Sequence, residues 1–233
     1  MRESFEGRRS HRRVSQNVRG AVLATLIVAT AVSAAAASEG DEKRWTEDDV
    51  IFEVMGQARV LSPTSAIQYG YLSSIPGLDG IFSTEVPSQQ NETTAFFTFY
   101  NTATTLRVTV QGGLTVATRE GTMTVYLDSA PNGTYDVPES FADGTPVQVS
   151  TWRHQVILDS ATGRFTVQFM NTITSVNRFE WNGESIRLGK VGDRFRVNGS
   201  GVLRSPGLFD LAGYAVLGSR DDSRILGPGR DNE

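Results

Sequence analysis

The sequence predicts an all-β fold: a single antiparallel β-barrel or β-sandwich of about nine to eleven strands between Ile51 and Leu217. Three observations carry that expectation. Apolar and polar residues alternate with period two almost throughout, and the alternating runs are rich in β-branched and aromatic residues. Turn-forming clusters separate the runs at spacings of about 8–12 residues. No stretch has the 3.6-residue period of an amphipathic helix. Barrel and sandwich both alternate, so periodicity leaves the choice between them open.

The chain opens with residues 1–38, which read as a secretory signal peptide. Six arginines between Arg2 and Arg19 precede an uncharged run, Gly20–Ser38, with an apolar centre and a small-residue end at Ala34–Ala37. A stable membrane span needs about 20 strongly apolar residues. This run is alanine-rich and interrupted by Thr25, Thr30 and Ser33, so no membrane span is expected after cleavage. The expected location is therefore secreted, either periplasmic or extracellular. Removing six arginines and two glutamates takes the net charge from −4 to −8. So acidic a chain is a poor partner for phosphate backbones or anionic lipid, and nucleic acid is excluded as an expected partner. The absence of cysteine excludes disulfides, thiolate–metal sites and a cysteine nucleophile.

Residues 39–49 are acidic and polar, an expected flexible lead-in to one all-β domain over residues 50–218. Within the domain, Leu106, Val108 and Val110 alternate with polar neighbours, as do Met123, Val125 and Leu127, and Phe165, Val167 and Phe169. Turns are expected at Arg119–Gly121, at Asp159–Gly163 and at Asn182-Gly183, whose two residues suit the positive φ of a type I′ hairpin. Ala95–Tyr100 carries aromatic residues on both faces, as expected for a strand covered by a loop or lining a cavity. Along Pro146–Asp159 the apolar face switches from odd positions (Val147, Val149) to even ones (Val156, Leu158). A bulge near Ser150–Arg153 is the expected cause. Residues 219–233 read as a polar tail.

The segment Asp128–Glu139 places Asp128, Asn132, Gly133, Thr134, Asp136 and Glu139 at positions one, five, six, seven, nine and twelve of a twelve-residue stretch. It resembles the calcium loop of EF-hands, in which a tight glycine turn converges oxygens on the cation. The resemblance implies calcium as a possible cofactor, with Asp128, Asn132, Asp136 and Glu139 giving side-chain oxygens and Thr134 its carbonyl. Ala130 and Pro138 depart from the pattern. The alternative is a polar connection stiffened by proline and by Asx-type turns.

After residue 38 the sequence has one histidine, His154, which shares an even face with Trp152, Val156 and Leu158. It is a weak catalytic candidate, as is Asp210, a carboxylate in an otherwise apolar run. No nucleophile motif, phosphate-binding glycine loop or metal-ligand cluster appears. The expected function is a secreted non-enzymatic barrel binding a small apolar ligand, with Phe97, Phe99, Trp152 and His154 as ligand contacts. The alternatives are a calcium-rigidified sandwich that engages a glycan or protein partner, and a barrel hydrolase or isomerase.

Overall fold

The alternating segments form ten strands: β1 (Val50–Ser62), β2 (Ser65–Ser74), β3 (Phe97–Gln111), β4 (Leu114–Leu127), β5 (Thr145–Asp159), β6 (Arg164–Val176), β7 (Phe179–Trp181), β8 (Glu184–Ile186), β9 (Arg194–Ser205) and β10 (Leu208–Leu217). The structure is a computed structural model and describes residues 49–218. The expected signal segment, most of the lead-in and the polar tail lie outside the described residues. Eight strands close into an antiparallel barrel in the order β1-β10-β9-β6-β5-β4-β3-β2, while β7 and β8 form a separate two-stranded hairpin. Closure removes the sandwich alternative, because each barrel strand pairs with a neighbour on both sides.

Strand direction sorts the connections. The tight ones, at 63–64, 112–113, 160–163 and 206–207, gather at one end of the barrel. The long ones, at 75–96, 128–144 and 177–193, gather at the other. The β7–β8 hairpin belongs to the long-loop end and turns through Asn182 (φ 51°) and Gly183 (φ 83°), the type I′ pair that the sequence signals. The ring of Phe97 lies 5.5 Å from that of Phe179 and 5.1 Å from that of Trp181. Trp181 Nε1 donates to the Asp79 carbonyl at 2.9 Å, which joins two of the long connections. That end is closed by packed aromatic side chains.

Cross-strand partners share a face, so the register identifies the residues that point inward. One inward row runs Ala103–Gly121–Trp152–Asn171–Phe195, and the next runs Thr105–Arg119–His154–Phe169–Val197. An eight-stranded barrel is wide enough either to be filled by its own side chains or to hold one small ligand, and here large phenylalanines take much of the interior. Phe52, Phe97, Phe99 and Phe195 are at most 3% exposed. Each such burial contributes about 1.5–3 kcal/mol.

Outside the wall, the 128–144 connection folds back over β2 and β3. Tyr69 packs against Phe141 at 5.6 Å and Tyr135 at 6.3 Å, and the Thr98 hydroxyl donates to the Phe141 carbonyl at 2.9 Å. This loop explains the two-faced aromatic strand: Phe97 and Phe99 look into the barrel, while Tyr100 stacks on Tyr69 outside it.

Three local expectations are corrected. Arg119–Gly121 is no turn, because β4 runs unbroken from Leu114 to Leu127 and the chain reverses at Gly112-Gly113 instead. Gly121 serves a close approach: a Cβ there would collide with the Thr102 carbonyl and lie 2.8 Å from Trp152 Cζ2. Second, β5 does not invert its face at Ser150–Arg153. Its register with β4 is continuous from Gln148 to Asp159, and the shift between β5 and β6 sits at Val149/Ser150. Even positions point inward from Gln148 to Leu158, with Gln148 and Ser150 polar; the phase changes earlier, where the register with β4 shifts between Gln148 and Pro146 and Val147 is buried in the core. Third, Leu106, Val108 and Val110 are exposed by 47%, 52% and 69%. The pairing of β2 with β3 stops at Ser65–Thr104, and a register shift follows between Thr105 and Arg107, so the end of β3 overhangs the wall.

Candidate functional site

The inward polar residues are concentrated on one side of the barrel. Asn101 comes from β3, Ser150, Trp152 and His154 from β5, and Asn171 from β6. Strand alternation aims all of them at the interior, and all are at most 4% exposed. His154 lies between two rings: its centroid is 4.8 Å from Trp152, nearly parallel at 30°, and 4.6 Å from Phe169, edge-on at 76°. Burial and the nearby Arg119 guanidinium push its pKa down to about 3. At neutral pH the imidazole is therefore uncharged, with one N–H to donate and one nitrogen to accept.

Among the described residues neither imidazole nitrogen has a partner, nor do Trp152 Nε1, Asn171 Nδ2 and Asn101 Oδ1. The same amides are anchored at their other ends. Asn101 Nδ2 donates to Gln68 Oε1 at 2.9 Å, and the Ser150 hydroxyl lies 3.3 Å from Asn171 Oδ1. A buried polar atom left without a partner costs about 1–3 kcal/mol, so five would cost roughly 5–15 kcal/mol. That equals the whole stability of a typical domain. These atoms are consequently sites that something other than the protein must satisfy. Their fixed positions on rigid strands suit them to orienting a small molecule.

The other expected site residues lie elsewhere. Phe97 and Phe99 face inward but deeper, toward the long-loop end. The Phe99 ring occupies the space over Gly56, where a Cβ would come within 2.9 Å of its Cζ. Asp210 is on the outer face. Its carboxylate accepts from Gln57 Nε2 at 3.0 Å and pairs with Arg204 at 3.3 Å, so it has no part in the interior.

The Asp128–Glu139 loop is organised by its own hydrogen bonds. Asp128 Oδ1 accepts from the Ala130 N–H at 2.8 Å, an Asx turn. Asn132 donates to Asp143 at 2.9 Å, and the Thr134 carbonyl accepts from the Val137 N–H at 3.1 Å. Asp136 and Glu139 are exposed. Among the described residues no three histidines or carboxylates come together around a point that could hold a metal ion.

Arg119, Asn101 and Asn171 were not singled out in the sequence. Arg119 was hidden by the expected turn, whereas extending the inward phase of Met123, Val125 and Leu127 back by two and four residues reaches Gly121 and Arg119. Comparison with family models, with curated proteins and with solved structures finds no match for this chain.

Proposed function

We propose that this chain is a secreted, non-enzymatic β-barrel that carries a small, largely apolar ligand inside the barrel. The observation that supports it is the set of inward polar atoms without protein partners, on Trp152, His154, Asn171 and Asn101, set in an aromatic wall. Mostly apolar surroundings with a few fixed polar groups are what orient a ligand and distinguish it from its analogues. Phe97 and Phe99 form the floor of the site, and Trp152 and His154 form its recognition wall. Export follows from the character of residues 1–38.

A surface-interaction role draws on a different feature, the overhanging end of β3, where Val108 and Val110 are 52% and 69% exposed. Native mass spectrometry of residues 39–233, exported by the native host, separates the two. The carrier reading expects a stoichiometric adduct of a few hundred daltons that is lost on unfolding. A bare mass in every charge state would overturn it and favour the surface role.

A further inference from the structure

Among the described residues, the rows that point into the barrel hold one cation, Arg119, and no carboxylate. Arg119 shares its inward row with Thr105 on one side and His154 on the other. Its Nε donates to the Thr105 hydroxyl at 3.1 Å, which fixes the plane of the guanidinium. Among the described residues no carboxylate pairs with it. Its sequence neighbour Glu120 points outward and pairs with Arg153 at 3.1 Å. Burial also lowers the Arg119 pKa, a sign that the charged form is held in an unfavourable medium. Arginine does not lose its proton in a protein, and Arg119 is only half-buried, so its charge faces water or an anion that reaches it from the tight-turn end of the barrel.

Arg119 and His154 stand one row nearer the tight-turn end than Gly121 and Trp152. Aromatic rings flank His154: Trp152, in the row behind, stacks on it, and Phe169, in its own row, meets Trp152 edge-on at 5.2 Å. The His154 side chain is 1% exposed and has both nitrogens unpartnered, so an N–H donor lies beside the guanidinium.

Building on the carrier reading, we infer that the ligand is a small organic acid bound as its carboxylate. Arg119 and the His154 N–H hold the carboxylate, and a ring-sized apolar body lies against Trp152 and Phe169. The planar guanidinium matches the two oxygens of a carboxylate. One positive charge beside a neutral imidazole balances a monoanion, whereas a phosphate dianion would leave a buried negative charge uncompensated. Trp152 Nε1 and Asn171 Nδ2 lie one row deeper and donate to a carbonyl or hydroxyl oxygen on the body.

The test uses residues 39–233, refolded from denaturant to release any resident ligand, with benzoate and the uncharged benzamide as probes. Binding is read by calorimetry and by tryptophan fluorescence, with Trp152→Phe assigning the signal. Benzoate should bind at least tenfold more tightly than benzamide. Arg119→Gln should weaken benzoate by about 10–100-fold and benzamide by less than about threefold. Arg119→Lys, which keeps the charge, should recover part of the loss, and Arg153→Gln on the outer face should change neither probe. If benzamide matches benzoate, or Arg119→Gln leaves the preference intact, the anion inference fails while the carrier reading stands. If neither probe binds, the anion inference fails, and the native mass spectrum alone decides the carrier reading.

Discussion

Replacing His154 by leucine tests whether the interior polar groups await a partner. The substitution removes two buried nitrogens that have no protein partner and fills similar space with an apolar side chain. Relief of an unpartnered polar group is worth about 1–3 kcal/mol. For a domain of this size that raises the melting temperature by roughly 2–12 °C, at about 2–4 °C per kcal/mol. The gain should grow in acid. In the unfolded chain His154 titrates near the ordinary 6.5, but in the folded barrel only near 3. Between those values the unfolded chain binds one more proton. The stability carried by the neutral imidazole is therefore complete above about pH 6.5 and is lost as pH falls toward 3. The slope reaches about 1.4 kcal/mol per pH unit, on the order of 2–3 kcal/mol by pH 4.5. Leucine lacks this term, so the variant's advantage should widen by that amount. Urea unfolding of both ligand-free proteins at pH 7, 5.5 and 4.5 measures it. A variant less stable than the parent at pH 7, with no widening in acid, would refute the reasoning.

Further outcomes follow from the same geometry. Gly121→Ala places a Cβ against the Thr102 carbonyl and the Trp152 ring, and should cost at least about 1–3 kcal/mol in urea unfolding; a neutral result would show that β4 and β3 can separate there. Phe97→Ala removes a fully buried ring from the aromatic plug at the long-loop end and should cost about 3–5 kcal/mol. Asp210→Asn keeps an acceptor for Gln57 on the outer wall and should leave ligand capture unchanged, with a stability change below about 1 kcal/mol; lost capture would bring Asp210 back as a site residue. Asp128→Ala removes the Asx turn to Ala130 and should cost about 1 kcal/mol whether or not calcium is present. A melting temperature that rises with calcium in the parent alone would restore the calcium loop.

The wall of the barrel was legible because its inner and outer solvents differ. Where the interior is apolar, as at Met123, Val125, Phe165, Val167 and Phe169, alternation gives the strand and its phase together. Where the interior is polar, the same rule misreads the phase. Gln148 and Ser150 point inward beside Trp152, and their polarity moved the expected bulge along β5 from Val147, where the register with β4 shifts, to Ser150–Arg153. The candidate site was half visible for the same reason. Trp152 and His154 stood out as rare residues on an apolar face, but Asn101, Asn171 and Arg119 resemble solvated strand residues until closure fixes which way they look. Closure itself depends on pairing β1 with β10, strands separated by nearly the whole domain, and no local pattern encodes that pairing.

Protein exported by its own host and crystallised without exchange into another ligand offers the most direct test. The electron density beside Trp152 Nε1, His154, Asn171 Nδ2 and Asn101 Oδ1 is the quantity to examine. The carrier account predicts continuous density larger than water, within hydrogen-bond distance of at least two of these groups and flat against the Trp152 ring. Density explained entirely by separate waters, or side chains rearranged to satisfy one another, would contradict it.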